Sequence, residues 1–273
     1  MTTTTLTAVA CWIVLTLWGW MELGFSGLVS LSNGLTVGIV SLVAKASGAR
    51  GWPLFWLLFQ LYAGVNVLNI QIENLVFGAV PPGEIARTTV TGLLAAAGVS
   101  AALAWASTRD AWTRQSNAGA PLTENLWWKL PALGVLYIVL FLTAGSLIVP
   151  YIRDFYARNN VIVMPSFGVL LLTEFLRGLV HTVSLVPFLR TMSGRRAHAA
   201  VLAGLALAIL GGISSLLLPI DDMLPPEIRR VHIAEIFGSN FLFGVITVWL
   251  LVRRADAVAP QLRQPPALPF VKA

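Results

Sequence analysis

Residues 161–189 read VIVMPSFGVLLLTEFLRGLVHTVSLVPFL, an apolar run with Glu174, Arg177 and His181 set into it. About 20 mostly apolar residues suffice to cross a bilayer as a helix. Glu174, Arg177, His181 and Ser184 follow i, i+3, i+7, i+10, so they form one narrow stripe on a helix that is otherwise apolar. A charged side chain at the bilayer centre costs roughly 2.5–3.5 kcal/mol on insertion scales, so the stripe has to face protein or a water-filled cavity. A single helix offers neither, and the segment therefore implies a bundle of spanning helices around a polar interior.

Further runs of the same kind lie at 52–80, 88–107, 127–149, 197–218 and 232–252. The stretch 6–44 is too long for one straight span at about 1.5 Å per residue. A turn in the glycine-rich string after Glu22 divides it into 6–23 and 27–44. The expected fold is an all-α polytopic transmembrane bundle of about eight spans, or seven if 6–44 is one tilted or broken helix. Residues 1–255 form the bundle and 256–273 a proline-rich cytoplasmic tail, extended or disordered. No internal repeat is evident. The two longest spans, 52–80 and 161–189, occupy non-matching places in the two halves, which weighs against an inverted-repeat transporter.

Composition agrees with this reading. Hydrophobic residues make up 57% of the 273 and charged residues 11%, where a soluble domain carries about 25% charged. The net charge of +6 is a topology signal and not a nucleic-acid footprint. On one side of the expected bundle lie twelve Lys and Arg against Asp110, Glu124 and Asp256; on the other, five Arg against five acids. The basic side is expected to be cytoplasmic, with the C-terminus inside, in the cell membrane. Six of the ten Trp (Trp52, Trp56, Trp105, Trp127, Trp128 and Trp249) fall at that interface. Cys11 is the only cysteine, so an intramolecular disulfide and cysteine-rich metal sites are excluded. Met1 to Thr5 lacks the charged region of a signal peptide, and the first span is expected to be retained.

Two more polar stripes accompany the one on 161–189. Asn66, Asn69 and Glu73 share a face of the 52–80 helix, and His232, Glu235 and Ser239, with Asn240 adjacent, share one on the last helix. Polar seams in lipid are satisfied only by one another or by water, so the three are expected to converge on a cavity biased toward the outer side. Glu174, Arg177 and His181 form its buried relay; Asn66, Asn69, Glu73, His232, Glu235 and Asn240 form the outer approach. Asn and Ser seams also act as plain interhelical glue, and Glu174 with Arg177 can be a purely structural ion pair. Glu22, beside Trp20, is expected at the interface.

Among metal arrangements, the ferritin-like di-iron pattern fails on spacing, since His232-x-x-Glu235 is reversed and Glu174 and His181 stand two turns apart. A single ion on Glu73, His232 and Glu235 is the geometrically easier set. Three functional classes fit. The first is a small transporter or permease subunit with proton or cation coupling, binding a small molecule or ion. The second is a membrane-embedded enzyme acting on a lipid or isoprenoid at the outer leaflet. The third is a structural subunit of a larger membrane complex whose seams only pack; a homo-oligomer or a complex subunit is the expected assembly. All three have membrane lipids as partners, and none has nucleic acid.

Overall fold

A computed structural model describes residues 2–24, 26–78, 80–109, 122–159, 165–192, 195–218 and 224–253. These residues are 88% helical and contain no strands. Eight helices are long and apolar enough to cross a membrane: α1 (Thr3–Leu23), α2 (Gly27–Ala46), α3 (Gly51–Phe77), α4 (Pro82–Ser107), α5 (Leu126–Asn159), α6 (Phe167–Thr191), α7 (Arg196–Leu216) and α8 (Pro226–Leu251). The protein is an integral membrane helix bundle. The proline-rich tail and the charged loop segments 110–121 and 219–223 lie outside the described residues.

The question of seven or eight spans is settled at Gly24. Its φ of +82° suits glycine and closes α1, and the Ser26 side chain then caps α2 by accepting from Leu28 N at 3.2 Å. Other boundaries extend past the apolar runs, where proline at the first helical position opens the helix in polar sequence. The fourth and eighth helices begin at Pro82 and Pro226, six residues earlier than hydropathy places them, each with a glutamate in the first turn where the helix dipole favours it. The sixth starts later than expected, at Phe167, with Ser166 as its cap. Gly78, left-handed at φ +61°, ends α3. At 34 residues, α5 is roughly 50 Å long. Its last turns, with Arg153, Asp154 and Arg158, overshoot a hydrocarbon core of about 30 Å.

Two helices contain a widened turn. In α3 the amide of Asn69 bonds back to Gly64 O, and in α7 that of Ser214 bonds back to Ile209 O, each an i to i−5 step. Such turns release carbonyls from the regular ladder and concentrate at functional sites. The centre of the bundle is α7, while α1 is peripheral, resting on α2 and α4.

One end of the bundle gathers the basic connections. Gly48 N donates to Thr191 O at 2.6 Å, Thr123 N donates to Leu251 O at 2.8 Å, and Arg253 pairs with Glu124. All six Trp expected at this end are exposed, between 44% and 79%, which suits an aromatic belt against lipid headgroups. The Arg109 and Arg196 guanidinium groups lie over the Trp105 and Trp249 rings at 3.8 and 4.4 Å. At the opposite end Arg87 donates to Glu22 at 2.7 Å and to Glu84 at 3.0 Å. Glu22 is about half exposed there, as an interfacial residue should be.

Candidate functional site

The polar stripe of α6 is turned wholly inward. The side chains of Glu174 and Arg177 are 0% and 4% exposed, and His181 is fully buried. Arg177 is the hub. One terminal nitrogen, Nη1, donates to both oxygens of Glu174, at 3.0 and 2.9 Å, and also pairs with Glu73 Oε1 at 3.1 Å. Its Nε donates to Asn69 Oδ1 at 3.2 Å. Two carboxylates, one from its own helix and one from α3, thus converge on a single guanidinium. Glu73 is a third exposed and forms the edge of the cluster, while Glu174 is sealed.

A neutral layer lies alongside. Tyr137 of α5 sets its ring 5.7 Å from the Arg177 guanidinium, and its hydroxyl donates to Asn240 Oδ1 at 3.1 Å. The Asn240 amide donates in turn to the carbonyls of Leu207 and Gly211 at 3.4 Å each, in and just before the widened turn of α7. Asn66 donates to Leu210 O and to Ser214 Oγ, both at 2.9 Å. Two side-chain amides therefore serve carbonyls at the irregular turn of the central helix, which accounts for amides at these positions.

His181 stands edge-on to Tyr137, ring centroids 5.2 Å apart, and neither ring nitrogen has a hydrogen-bond partner among the described residues. Asn69 Nδ2 is likewise without one. Glycines create this proximity. A Cβ on Gly211 would lie 2.8 Å from Asn240 Nδ2 and 3.3 Å from His181 Cε1, and one on Gly178 would lie 2.6 Å from Tyr137 Cβ.

The α8 stripe reaches the same region through Asn240, and its two titratable members pair with each other while Glu235 stays within electrostatic reach of Glu174 and Tyr137. His232 Nδ1 lies 2.8 Å from Glu235 Oε2, and His232 Nε2 lies 2.9 Å from the Tyr156 hydroxyl. With the ring neutral, Nδ1–H donates to the carboxylate and Nε2 accepts from the phenol. Ser239 turns back onto its own helix, donating to Glu235 O at 2.9 Å.

This partition corrects the expected metal set. Glu73 pairs with Arg177 while His232 and Glu235 bond to each other, so the three are not gathered as ligands of one ion. Among the described residues no three His, Cys, Asp or Glu side chains gather closely enough to hold an ion. Periodicity does not single out Tyr137, an isolated polar position in an apolar run, or Tyr156, which lies past the expected 127–149 span among Arg153, Asp154 and Arg158. For Tyr137, a tyrosine in the middle of an apolar run whose hydroxyl needs a partner, that need is the available signal.

A groove of about 490 Å³ runs between α3 and α6, lined by Trp56, Phe59 and Leu68 on one side and Leu179 and Val183 on the other. Its lining contains no titratable side chain. Comparison of the chain with protein-family models, with curated proteins and with solved structures returns no match.

Proposed function

We propose that the protein is a small transporter or permease subunit coupled to protons or a monovalent cation. Glu174, Arg177 and His181 act as its buried relay, and Asn66, Asn69, Glu73, His232, Glu235 and Asn240 as the outer approach. The observation that carries this reading is a charge imbalance. One guanidinium faces two carboxylates at 2.9–3.1 Å, so the fully ionised cluster is net negative, with Glu174 and Arg177 sealed and Glu73 at the edge. An uncompensated buried charge costs several kcal/mol. A bound proton or cation restores neutrality, and the partly exposed Glu73 is the group through which it exchanges. Protonatable groups set at successive depths are what proton coupling requires. The lipid-enzyme reading gains nothing from the apolar groove, which lacks an acid or base for catalysis.

Proteoliposomes holding a trapped pH-sensitive dye test this. Under an imposed Na⁺, K⁺ or pH gradient the wild type is expected to change the internal pH faster than empty vesicles, and Glu73→Gln is expected to lose that excess. Wild-type vesicles indistinguishable from empty ones under all three gradients would overturn the reading.

The basic, Trp-belted end is proposed to face the cytoplasm, on the excess of Lys and Arg there. In a Cys11→Ala background, Arg195→Cys is expected to resist a membrane-impermeant thiol reagent in intact cells and Glu227→Cys to react. The reverse pattern inverts the topology.

A further inference from the structure

The two halves of the bundle repeat each other. In the first half α1 packs on α2 and α4, and α3 packs on α4; in the second α5 packs on α6 and α8, and α7 on α8. The widened turn falls in the third helix of each half, and the two turns touch.

A single offset of 145 positions (192 less 47) relates the halves. It carries the end of α2, Ala46, onto the end of α6, Thr191, and the start of α3, Gly51, onto the start of α7, Arg196. Under it, eight of the nine buried residues of α2 fall on buried residues of α6, and nine of the ten in α3 on buried residues of α7. With one position removed in the following turn, seven of the eight buried residues of α4 fall on buried residues of α8. Helical periodicity alone would not hold one register across two helices and the connection between them, and then across a third after a single-residue step. The sequence keeps a trace at the last of them, where Pro81-Pro82 stands against Pro225-Pro226 and each pair opens its helix.

The contacts between halves obey the same relation. Ser47 and Met192, equivalent residues, pair with each other as an isolated antiparallel bridge, which places them on a twofold axis. Arg177 donates to Asn69 across the α6–α3 seam, and the equivalent residues Ser32 and Ser214 meet across the α2–α7 seam, where Ser32 Oγ donates to Ser214 O at 2.6 Å. Four helices per half is an even number, so both halves enter the membrane from the same side and the axis runs along the bundle.

We propose that the chain is two copies of one four-helix unit, and that the charged cluster is a proton or cation site built across one of the two seams between them. The other seam is its uncharged counterpart. Glu174, Arg177 and His181 correspond there to Val29, Ser32 and Thr36, and Asn240 to Ala96. The charge therefore belongs to the site and not to the architecture, since the same fold closes its second seam without it. In parallel-repeat transporters, sites of this kind lie at the repeat interface near the midplane, where movement of one unit against the other exposes them. The apolar groove between α3 and α6 lies on the charged seam, leaving it less closely packed. The movement, though not the duplication, rests on the transport reading.

Cysteine pairs separate these claims. A protease site placed between residues 109 and 122 of the full chain, in a Cys11→Ala background, lets the halves part on a non-reducing gel unless a disulfide joins them. A Cβ at Gly64 would lie 3.2 Å from Ser184 Cβ, so Gly64→Cys with Ser184→Cys is expected to join them. The offset assigns Ile39 and Ile209 as the equivalent pair on the uncharged seam. Ile39→Cys with Ile209→Cys is expected to join the halves on mild oxidation, and Leu42→Cys with Ile209→Cys, which starts from an exposed face of α2, is not. Failure of the Ile39 pair, or equal reaction of the Leu42 pair, overturns the duplication. In proteoliposomes the oxidised Gly64/Ser184 pair is expected to lose flux and a reductant to restore it. Flux that persists through the locked seam overturns the movement and leaves the duplication standing. No flux from the wild type without cysteine pairs overturns the transport reading alone.

Discussion

Arg177→Met is expected to be among the most damaging single substitutions in the bundle, costing about 3–5 kcal/mol of stability. The arginine offsets two carboxylates at once, Glu174 at 2.9 Å and Glu73 at 3.1 Å, and its removal strands both. Asn69 Oδ1 also loses its donor, and Tyr137 the cation beside its ring. Methionine keeps roughly the length of the stem, so the loss is electrostatic and not a cavity. Glu174→Gln should behave differently, because it leaves Arg177 with Glu73 as a neutral pair. The ordering expected in detergent melts is therefore Glu174→Gln mildest, the double variant intermediate and Arg177→Met worst. Lowering the pH neutralises stranded carboxylates, so the deficit of Arg177→Met should shrink toward acid. Additive effects with no pH dependence would show that the three groups do not form one cluster.

Gly244→Val is expected to weaken the bundle by about 1–3 kcal/mol or more. A Cβ at 244 would lie 2.7 Å from both Cα and N of Gly204 and 2.8 Å from the carbonyl carbon of Ala203. Those are backbone atoms, so no rotamer change relieves the clash and α7 must move from α8. Membrane helices associate through such small-residue contacts because lipid provides no hydrophobic drive between them. The displacement would reach the site, since Asn240 lies one turn before Gly244 and bonds to α7. Gly238→Ala is the matched control: beyond its own helix backbone no atom lies within 4 Å of its Cβ position, and alanine favours a helix over glycine. A Gly244→Val protein that elutes and melts like the control would refute the close packing of α7 on α8.

The cluster was partly legible beforehand for a simple reason. Charge in a bilayer has few places to go, so Glu174 and Arg177 in one apolar run already implied burial against partners. Their i, i+3 spacing made them neighbours without any tertiary information. The choice between Glu73 and Glu235 as the third member was not readable in this way, because both lie on inward stripes and helical periodicity carries no distance between helices. The α3–α6 packing decides it, leaving Glu235 to His232 and Tyr156.

The duplication stayed hidden because lipid-facing and core-facing positions both accept Leu, Val, Ile and Ala. Two copies can then diverge in residue identity while keeping the pattern of burial, and only coordinates show which apolar residue is buried. The sequence by itself determined that the chain is a membrane bundle of helices, where polar residues must turn inward, and which end is basic, since these follow from the cost of moving groups into hydrocarbon. Tertiary structure alone decided which inward groups meet, which carbonyls at the irregular turns they satisfy, and that two similar halves enclose one charged seam and one neutral seam. Those are properties of how helices pack, and packing depends on shape across helices that lie far apart in the chain.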